Sequence, residues 1–168
     1  ADNIGRFFLR ETSLEIMLAK QSDQAKGVPQ PVVGPEPKDG RTKISLIAPR
    51  NISVEEISLR EAMENRRSVR EYSQEYLSFQ DLSWLLWSTQ GIRKITGEGN
   101  SRKVYRTVPS AGGRHPLDVY LVISRVEGLE AGLYTYLPVS HELQAEDTGR
   151  DFAEEIAALC RKQMFMAK

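Results

Sequence analysis

A cluster of cationic and hydroxyl side chains occupies Arg66 to Tyr72, where the sequence RRSVREY places three arginines and a serine within five positions. Guanidinium and hydroxyl groups bind phosphate through charge-assisted hydrogen bonds that contribute about 1.5–3 kcal/mol each. Cations at the C-terminal end of a helix are also stabilised by the helix dipole, by about 0.3–1 kcal/mol each. The local sequence therefore allows two interpretations, an anion site formed by Arg66, Arg67, Ser68 and Arg70 or a solvated helix end.

A second candidate is a stretch with almost no side-chain bulk, within the sequence TVPSAGGRHPLDVY at residues 107–120. Small residues allow the backbone to approach a flat ligand closely and to direct N–H groups towards it. The alternative is an ordinary loop in which glycines permit the turn. The candidate binding residues of this stretch are Pro109, Ser110, Ala111, Gly112 and Gly113.

Other site chemistries find little support. The P-loop pattern GxxxxGK[ST] is absent, and the GEG at residues 97–99 lacks the strand–turn–helix setting of a dinucleotide fingerprint. Ser110, His115 and Asp118 do not resemble a hydrolase triad, because triad members normally come from separate elements. His141 follows LPVS and is predicted to be a surface turn residue. With two histidines and one cysteine in the chain, no metal centre or disulfide is predicted.

The composition excludes a general attraction to polyanions. The 168 residues include 23 Lys plus Arg and 23 Asp plus Glu, so the formal net charge is zero. No global field therefore draws the protein to nucleic acid or to an anionic membrane. No apolar run approaches the roughly 20 residues of a membrane span, and the N-terminal residues lack the apolar core of a signal peptide. We expect a soluble, cytoplasmic protein.

The first half of the chain contains predicted helices and an extended connector. The first twenty residues have apolar side chains at mostly helical intervals, which indicates an N-terminal helix that docks on another surface. Four prolines between Pro29 and Pro37 indicate an extended segment, either a linker or an arm over the domain surface. Ser58 and Glu61 have capping-box spacing, and the helix they begin is predicted to end near Arg66.

Two further helices are predicted from caps and apolar spacing. LSFQDLSWLLWSTQG begins a helix at Ser78 with Asp81 in its first turn, and Gly91 ends it. Near the C-terminus, Asp147 or Thr148 is the predicted cap of another helix. The apolar stripe of that helix comprises Phe152, Ile156, Leu159 and Cys160.

Strands are predicted between these helices. DVYLVISRV is an apolar, β-branched run typical of a strand buried on both faces, and GLYTYLP is predicted to follow as a second strand. TGEGNS is predicted to be a turn between two short extended pieces. The order of elements indicates an α+β fold. Two strands cannot form a satisfied sheet. Either they pair with another chain, or residues 44–47 and 103–108 add strands, or sequence outside these residues completes the sheet.

Taken together, RRSVREY, SFQDLSWLLWSTQGIRK and TVPSAGGRHPLDVYLVISRVEGLEAGLYTYLP resemble the nitroreductase superfamily, most closely its SagB-type, azoline-dehydrogenase-like branch. The resemblance covers about residues 44–168, and the proline-rich segment before them is also similar to that branch. It implies two regions, an N-terminal helix and arm at residues 1–43 and a nitroreductase-like domain at residues 44–168. In that domain, helices pack on a mixed or antiparallel central sheet.

The resemblance also implies a homodimeric flavoprotein that binds FMN at the subunit interface and transfers electrons by a ping-pong scheme. Arg66, Arg67, Ser68 and Arg70 would hold the phosphate, the ribityl chain and the pyrimidine edge of the ring. The loop of Pro109 to Gly113 would pack on the isoalloxazine, from the other subunit. A fixed cation such as Arg70 favours the reduced flavin, and no protein nucleophile is required.

One departure from the family limits this analogy. Members of the family continue well past the counterpart of CRKQMFMAK, so the chain resembles the front half of the domain. The Lys/Tyr pair that serves azoline oxidation lies in the other half, and this activity is not carried over. The leading hypothesis is an FMN-dependent oxidoreductase with NAD(P)H or an oxidisable heterocycle as the electron donor. The alternative is a non-catalytic half-domain that acts in flavin or ligand binding or in assembly.

Overall fold

The chain divides into two compact units in a computed structural model. One unit comprises Ala1–Pro31 with Thr96–Lys103, and the other comprises Val32–Ile95 with Val104–Lys168. The second unit contains every candidate site residue. The side chains of Asn100 and Ala111 are not described. The structure describes residues 3–23, 25–29, 32–161, 163 and 165.

The N-terminal segment forms two short helices, α1 (Ile4–Glu11) and α2 (Leu14–Ala19), instead of the single predicted helix. The Asn3 side chain begins α1 by accepting the backbone N–H of Gly5 at 3.0 Å. Thr12 ends it, and its hydroxyl donates to the carbonyl of Phe8 at 2.8 Å. Such side-chain bonds to the backbone compete with helix continuation. No described residue of α1 or α2 is buried.

The remaining elements form an α+β fold, as the sequence predicts, with two helices after the first strand, then five consecutive strands and a last helix. Among the described residues, no helix has both the length and the apolar character needed to cross a membrane. The elements are β1 (Lys43–Ser45), α3 (Leu59–Asn65), α4 (Phe79–Gln90), β2 (Ile92–Thr96), β3 (Lys103–Arg106), β4 (Tyr120–Ile123), β5 (Gly132–Leu137), β6 (Glu142–Thr148) and α5 (Ala153–Leu159).

The caps of α3 and α4 confirm the sequence prediction. The Ser58 hydroxyl accepts the backbone N–H of Glu61 at 3.1 Å, and Ser78 accepts that of Asp81 at 3.0 Å. These bonds satisfy N–H groups that have no partner within the helix. Helix α4 ends at Gly91, but the backbone there has an ordinary negative φ. Glycine is required at this position because a Cβ would overlap the indole ring of Trp87.

Four antiparallel strands form the main sheet, in the order β1-β6-β5-β4. Leu143 on β6 lies opposite both Ile44 on β1 and Tyr136 on β5, and it is fully buried. Helix α4 contributes Leu82 and Leu86 to the same core. The strand β1, at residues 43–45, therefore overlaps one of the two predicted additional segments, residues 44–47. The other, residues 103–106, pairs with β2 in a separate two-stranded sheet, and TGEGNS connects the two strands as predicted.

Two predictions for the second half of the chain are wrong, and one strand was missed. DVYLVISRV forms only the four-residue β4 at the edge of the sheet, where Tyr120 is 60% exposed, so the strand is not buried on both faces. β6 was not predicted, because ELQAEDT has the polar composition of a loop. Since Asp147 and Thr148 belong to β6, the last helix begins later than expected, at Ala153, and Leu159 is 80% exposed.

The proline-rich segment is an arm on the sheet from Val32 onwards, which selects one of the two predicted alternatives. The backbone N–H of Lys38 donates to the side-chain oxygen of Gln144 at 2.7 Å, and its ammonium group pairs with Glu146 at 2.9 Å. The carbonyl of Thr42 accepts the N–H of Ala145 at 2.9 Å. These contacts attach residues 38–42 along β6.

Candidate functional site

The arginine cluster lies in an exposed segment directly after α3. Arg66 ends the helix, and its backbone N–H donates to the carbonyl of Ala62 at 3.1 Å. Arg66, Arg67, Ser68 and Arg70 are all exposed. Within the described part of the chain, no hydrogen bond or ion pair engages the side chains of Arg66, Arg67 or Ser68. The guanidinium of Arg70 lies 5.9 Å from the ring centre of Phe165. Most of the donors of the cluster are therefore free to bind an anion.

The small-residue loop is held at its two ends and open in the middle. At its start, Thr107 donates its N–H to the carbonyl of Gly91 at 3.0 Å and its hydroxyl to that of Trp87 at 2.9 Å. At its end, the Ser110 hydroxyl accepts the backbone N–H of His115 at 2.9 Å. This bond gives Ser110 a role in holding the loop, which agrees with the rejection of a Ser–His–Asp triad.

Gly112 and Gly113 give the loop a shape that most residues resist. Both have φ near +65°, at +63° and +65°, in the left-handed region that favours glycine. A Cβ on Gly112 would meet nothing closer than the Arg114 side chain at 3.7 Å. A Cβ on Gly113 would lie 3.8 Å from the carbonyl oxygen of Val104. The space above the glycines is open, so a flat group can approach their backbone.

A buried arginine that precedes this loop in the sequence was missed by the sequence reasoning. Arg106 is the last residue of β3 and is only 7% exposed. Its Nη1 donates to the side-chain oxygen of Gln90 at 2.8 Å, and its Nε has no hydrogen-bond partner among the described residues. The arm packs against the Arg106 side chain at Gly34, because a Cβ on Gly34 would lie 3.4 Å from the Arg106 Nη2. Alternation along KVYR, which puts Arg106 on the face of buried Val104, is the signal that could have revealed it.

The ionisable groups near Arg106 shift one another's pKa, because the region around its guanidinium is poorly solvated. Burial lowers the pKa of Arg106, while Asp118 and Tyr136 raise it. Burial also raises the pKa of Tyr136 to about 12, against an opposing effect of Arg106. The pKa of His115 is lowered by burial and by the charge of Arg106. Arg106 is thus a fixed cation whose field reaches the end of the small-residue loop.

His141 is not the surface turn residue that was predicted. Its backbone does lie in a turn, with φ of +55°, but its ring is packed against Tyr136. Nδ1 lies 2.9 Å from the Tyr136 hydroxyl, and Nε2 lies 3.0 Å from the carbonyl of Ile47. Both ring nitrogens are engaged, so His141 has a structural role.

The structure gives no direct bond between the two candidate segments. Among the described residues, no hydrogen bond, ion pair or ring contact joins residues 66–70 to residues 109–113. A cleft of about 670 Å³ opens next to the first segment, between residues 72–77 and the strand edge that runs from Leu121 to Val126. Its lining includes none of the predicted site residues, and it is mostly apolar around Leu82 and Ile156.

Comparisons with known proteins give a consistent result. The model described as Nitroreductase family matches residues 63–167. A curated protein of Methanocaldococcus jannaschii, named "Putative nitroreductase", is 36% identical over 114 residues, which are 68% of this chain and 54% of that protein. A crystal structure of a protein from Anabaena variabilis with the same name has a TM-score of 0.64 at 23% identity, over 96% of this chain and 29% of that one. The chain therefore spans about half the length of the curated relative, and the solved structure supports the fold.

Proposed function

Because the chain belongs to the nitroreductase family, we propose that it is part of an FMN-dependent oxidoreductase in which Arg66–Arg70 and Pro109–Gly113 bind the cofactor. The observation that carries this proposal is the extent of the family match, because residues 63–167 include both candidate segments. When bound, FMN would supply the redox chemistry by accepting electrons from a donor and passing them to an acceptor. The protein residues have to bind and orient it.

Three observations support the fit of these residues to a flavin. The guanidinium groups of Arg66 and Arg67 and the Ser68 hydroxyl are exposed and lack described partners, as a phosphate site requires. The backbone at Gly112 and Gly113 is open to a flat ring. Arg106, which lies three residues before the loop in the sequence, is a buried cation whose Nε has no partner among the described residues, and it would supply positive potential that favours a reduced flavin.

The proposed roles follow from these properties. Arg66, Arg67, Ser68 and Arg70 would bind the phosphate, ribityl chain and pyrimidine edge through charge-assisted hydrogen bonds. Pro109, Ser110, Ala111, Gly112 and Gly113 would lie against the isoalloxazine, with Ser110 keeping the loop closed through its bond to His115. The side chain of Ala111 lies outside the described part of the structure.

We further propose a homodimer with FMN at the interface, in the SagB-type branch, with ping-pong transfer from NAD(P)H or an oxidisable heterocycle. The surface of α3 supports an interface near the arginine cluster, since Leu59 is 78% exposed and Met63 is 70% exposed. Large exposed apolar side chains in one place are typical of interaction surfaces. Light scattering coupled to size exclusion tests the dimer, and anaerobic reduction of bound flavin by NADH or NADPH tests the donor.

The cofactor assignment is tested by Arg67→Ala, with Arg60→Ala as the matched control. Both arginines are exposed, and Arg60 lies on α3 outside the candidate cluster. Loss of one charge-assisted contact predicts about 10- to 100-fold weaker FMN binding for Arg67→Ala. The control should bind as the wild type does.

The measurement is an FMN titration followed by quenching of flavin fluorescence, on the natural full-length protein that contains this sequence. Equal FMN affinities in both variants and the wild type would favour the other interpretation of the cluster, a solvated helix end. A wild-type protein without flavin absorbance, even after incubation with FMN, would favour the non-catalytic half-domain.

A further inference from the structure

The most unusual group in the second unit is the buried guanidinium of Arg106. It is 7% exposed, forms no ion pair among the described residues, and leaves its Nε without a partner. Burial lowers the pKa of this guanidinium more than the Asp118 carboxylate and Tyr136 raise it, so the desolvation cost of the buried charge is only partly compensated. Its described hydrogen bond, to neutral Gln90, does not cancel the charge. Unsatisfied buried groups of this kind call for an explanation.

The position of Arg106 suggests what the charge does. The next residue, Thr107, fixes the start of the small-residue loop to the carbonyls of Trp87 and Gly91, at 2.9 and 3.0 Å. Gln90, which holds the guanidinium, lies between these two anchors in the sequence. The guanidinium and the start of the loop are thus both held by hydrogen bonds at the C-terminal end of α4. The arm packs against the guanidinium at Gly34.

We propose that Arg106 is a positioning residue whose buried charge acts through the loop of Pro109 to Gly113 and favours the anionic, reduced form of the ring held there. This inference rests on the proposed function, since it assigns the loop to a flavin. Low solvent exposure strengthens the field of the cation. The field already acts at the far end of the loop, where Arg106 lowers the pKa of His115.

Three variants separate the charge of Arg106 from its packing. Arg106→Met removes the charge and Arg106→Lys keeps it. Gln90→Glu places a carboxylate on the guanidinium, at the site of the present 2.8 Å bond, without a change in volume. Since Gln90 is only half-buried, Gln90→Glu should fold even if Arg106→Met does not. The control is Gln74→Glu, because Gln74 accepts a similar 2.6 Å bond from Arg125 elsewhere in the unit.

The first readout needs no flavin. An NMR titration follows His115, whose signal is assigned by its absence in His115→Gln, separately from His141, whose pKa is lowered by burial without a contribution from Arg106. Arg106→Met and Gln90→Glu should raise the pKa of His115, whereas Arg106→Lys, Gln74→Glu and the wild type should agree. His141 should not change in any variant. An unmoved His115 in the folded charge variants overturns the proposal.

The second readout is the reduction potential of bound FMN. Gln90→Glu should reduce the preference for the reduced form about tenfold, which corresponds to about 30 mV for a two-electron couple. Arg106→Lys should keep the wild-type potential. A potential unchanged in Gln90→Glu overturns the proposal. If the wild type binds no FMN, the proposed function fails, and the His115 titration alone decides whether Arg106 polarises the loop.

Discussion

Glu146 fastens the arm to the sheet, and its replacement by glutamine should destabilise the second unit. Its carboxylate accepts hydrogen bonds from Lys38 at 2.9 Å, Thr135 at 2.7 Å and Gln144 at 2.9 Å. The side chain is only 10% exposed. Glu146→Gln keeps the volume but removes the charge that Lys38 pairs with. Loss of a charge-assisted bond in a poorly solvated place costs about 1.5–3 kcal/mol.

The matched control is the next residue on the same strand. Asp147 pairs with Arg150 at 3.2 Å, but both side chains are more than half exposed. Exposed ion pairs contribute about 0–1 kcal/mol, so Asp147→Asn should have little effect. Urea unfolding, followed by the fluorescence of Trp84 and Trp87 at neutral pH, measures both variants. Equal unfolding midpoints for the two variants would refute the assignment of Glu146 as a residue that attaches the arm.

The pH dependence gives an independent check on Glu146. Hydrogen bonds from Lys38 and Thr135 lower the pKa of this carboxyl to about 2 from an ordinary 4.5. A carboxyl with a depressed pKa stabilises the folded state above its unfolded value, and the stabilisation is lost as pH falls through the folded value. The difference between wild type and Glu146→Gln should therefore be full above pH 4.5 and vanish by about pH 2.

Three further outcomes are expected. Burial lowers the pKa of His141, so the melting temperature should fall as pH drops below about 6.5. His141→Asn, which suits the positive φ, should reduce that fall. An identical dependence of the melting temperature on acid pH in the variant would contradict the structural role of His141. Gly91→Ala should lower the free energy of unfolding by about 1–3 kcal/mol, because its Cβ overlaps Trp87; an unchanged denaturation curve would exclude that contact. Gly112→Asn should weaken FMN binding, whereas Gly128→Asn, at a similar positive φ in open space, should not. Equal FMN affinities of the two variants would contradict the proposal that the flavin ring lies against this loop.

Local signals in the sequence determined helices α3 and α4 and the turn between β2 and β3. Ser58 and Ser78 each cap a helix through a bond to a residue three positions later, so the interaction is visible in a short stretch of sequence. The turn at TGEGNS is equally local, since its glycines permit the positive φ that the structure has at Gly97 and Gly99. The motifs that indicated the family depend on residue types in fixed order and needed no coordinates.

Tertiary structure decided the sheet and the environment of the site. β6 has a polar sequence, and it becomes a central strand only because β1 and β5 pair with its two edges. β4 has an apolar sequence, and it lies at an edge because one strand pairs with it. Arg106 is buried because α4 and the arm, distant in sequence, close over the end of β3. Burial and strand pairing depend on residues far apart in the chain, so composition and spacing did not reveal that Arg106 is a buried cation.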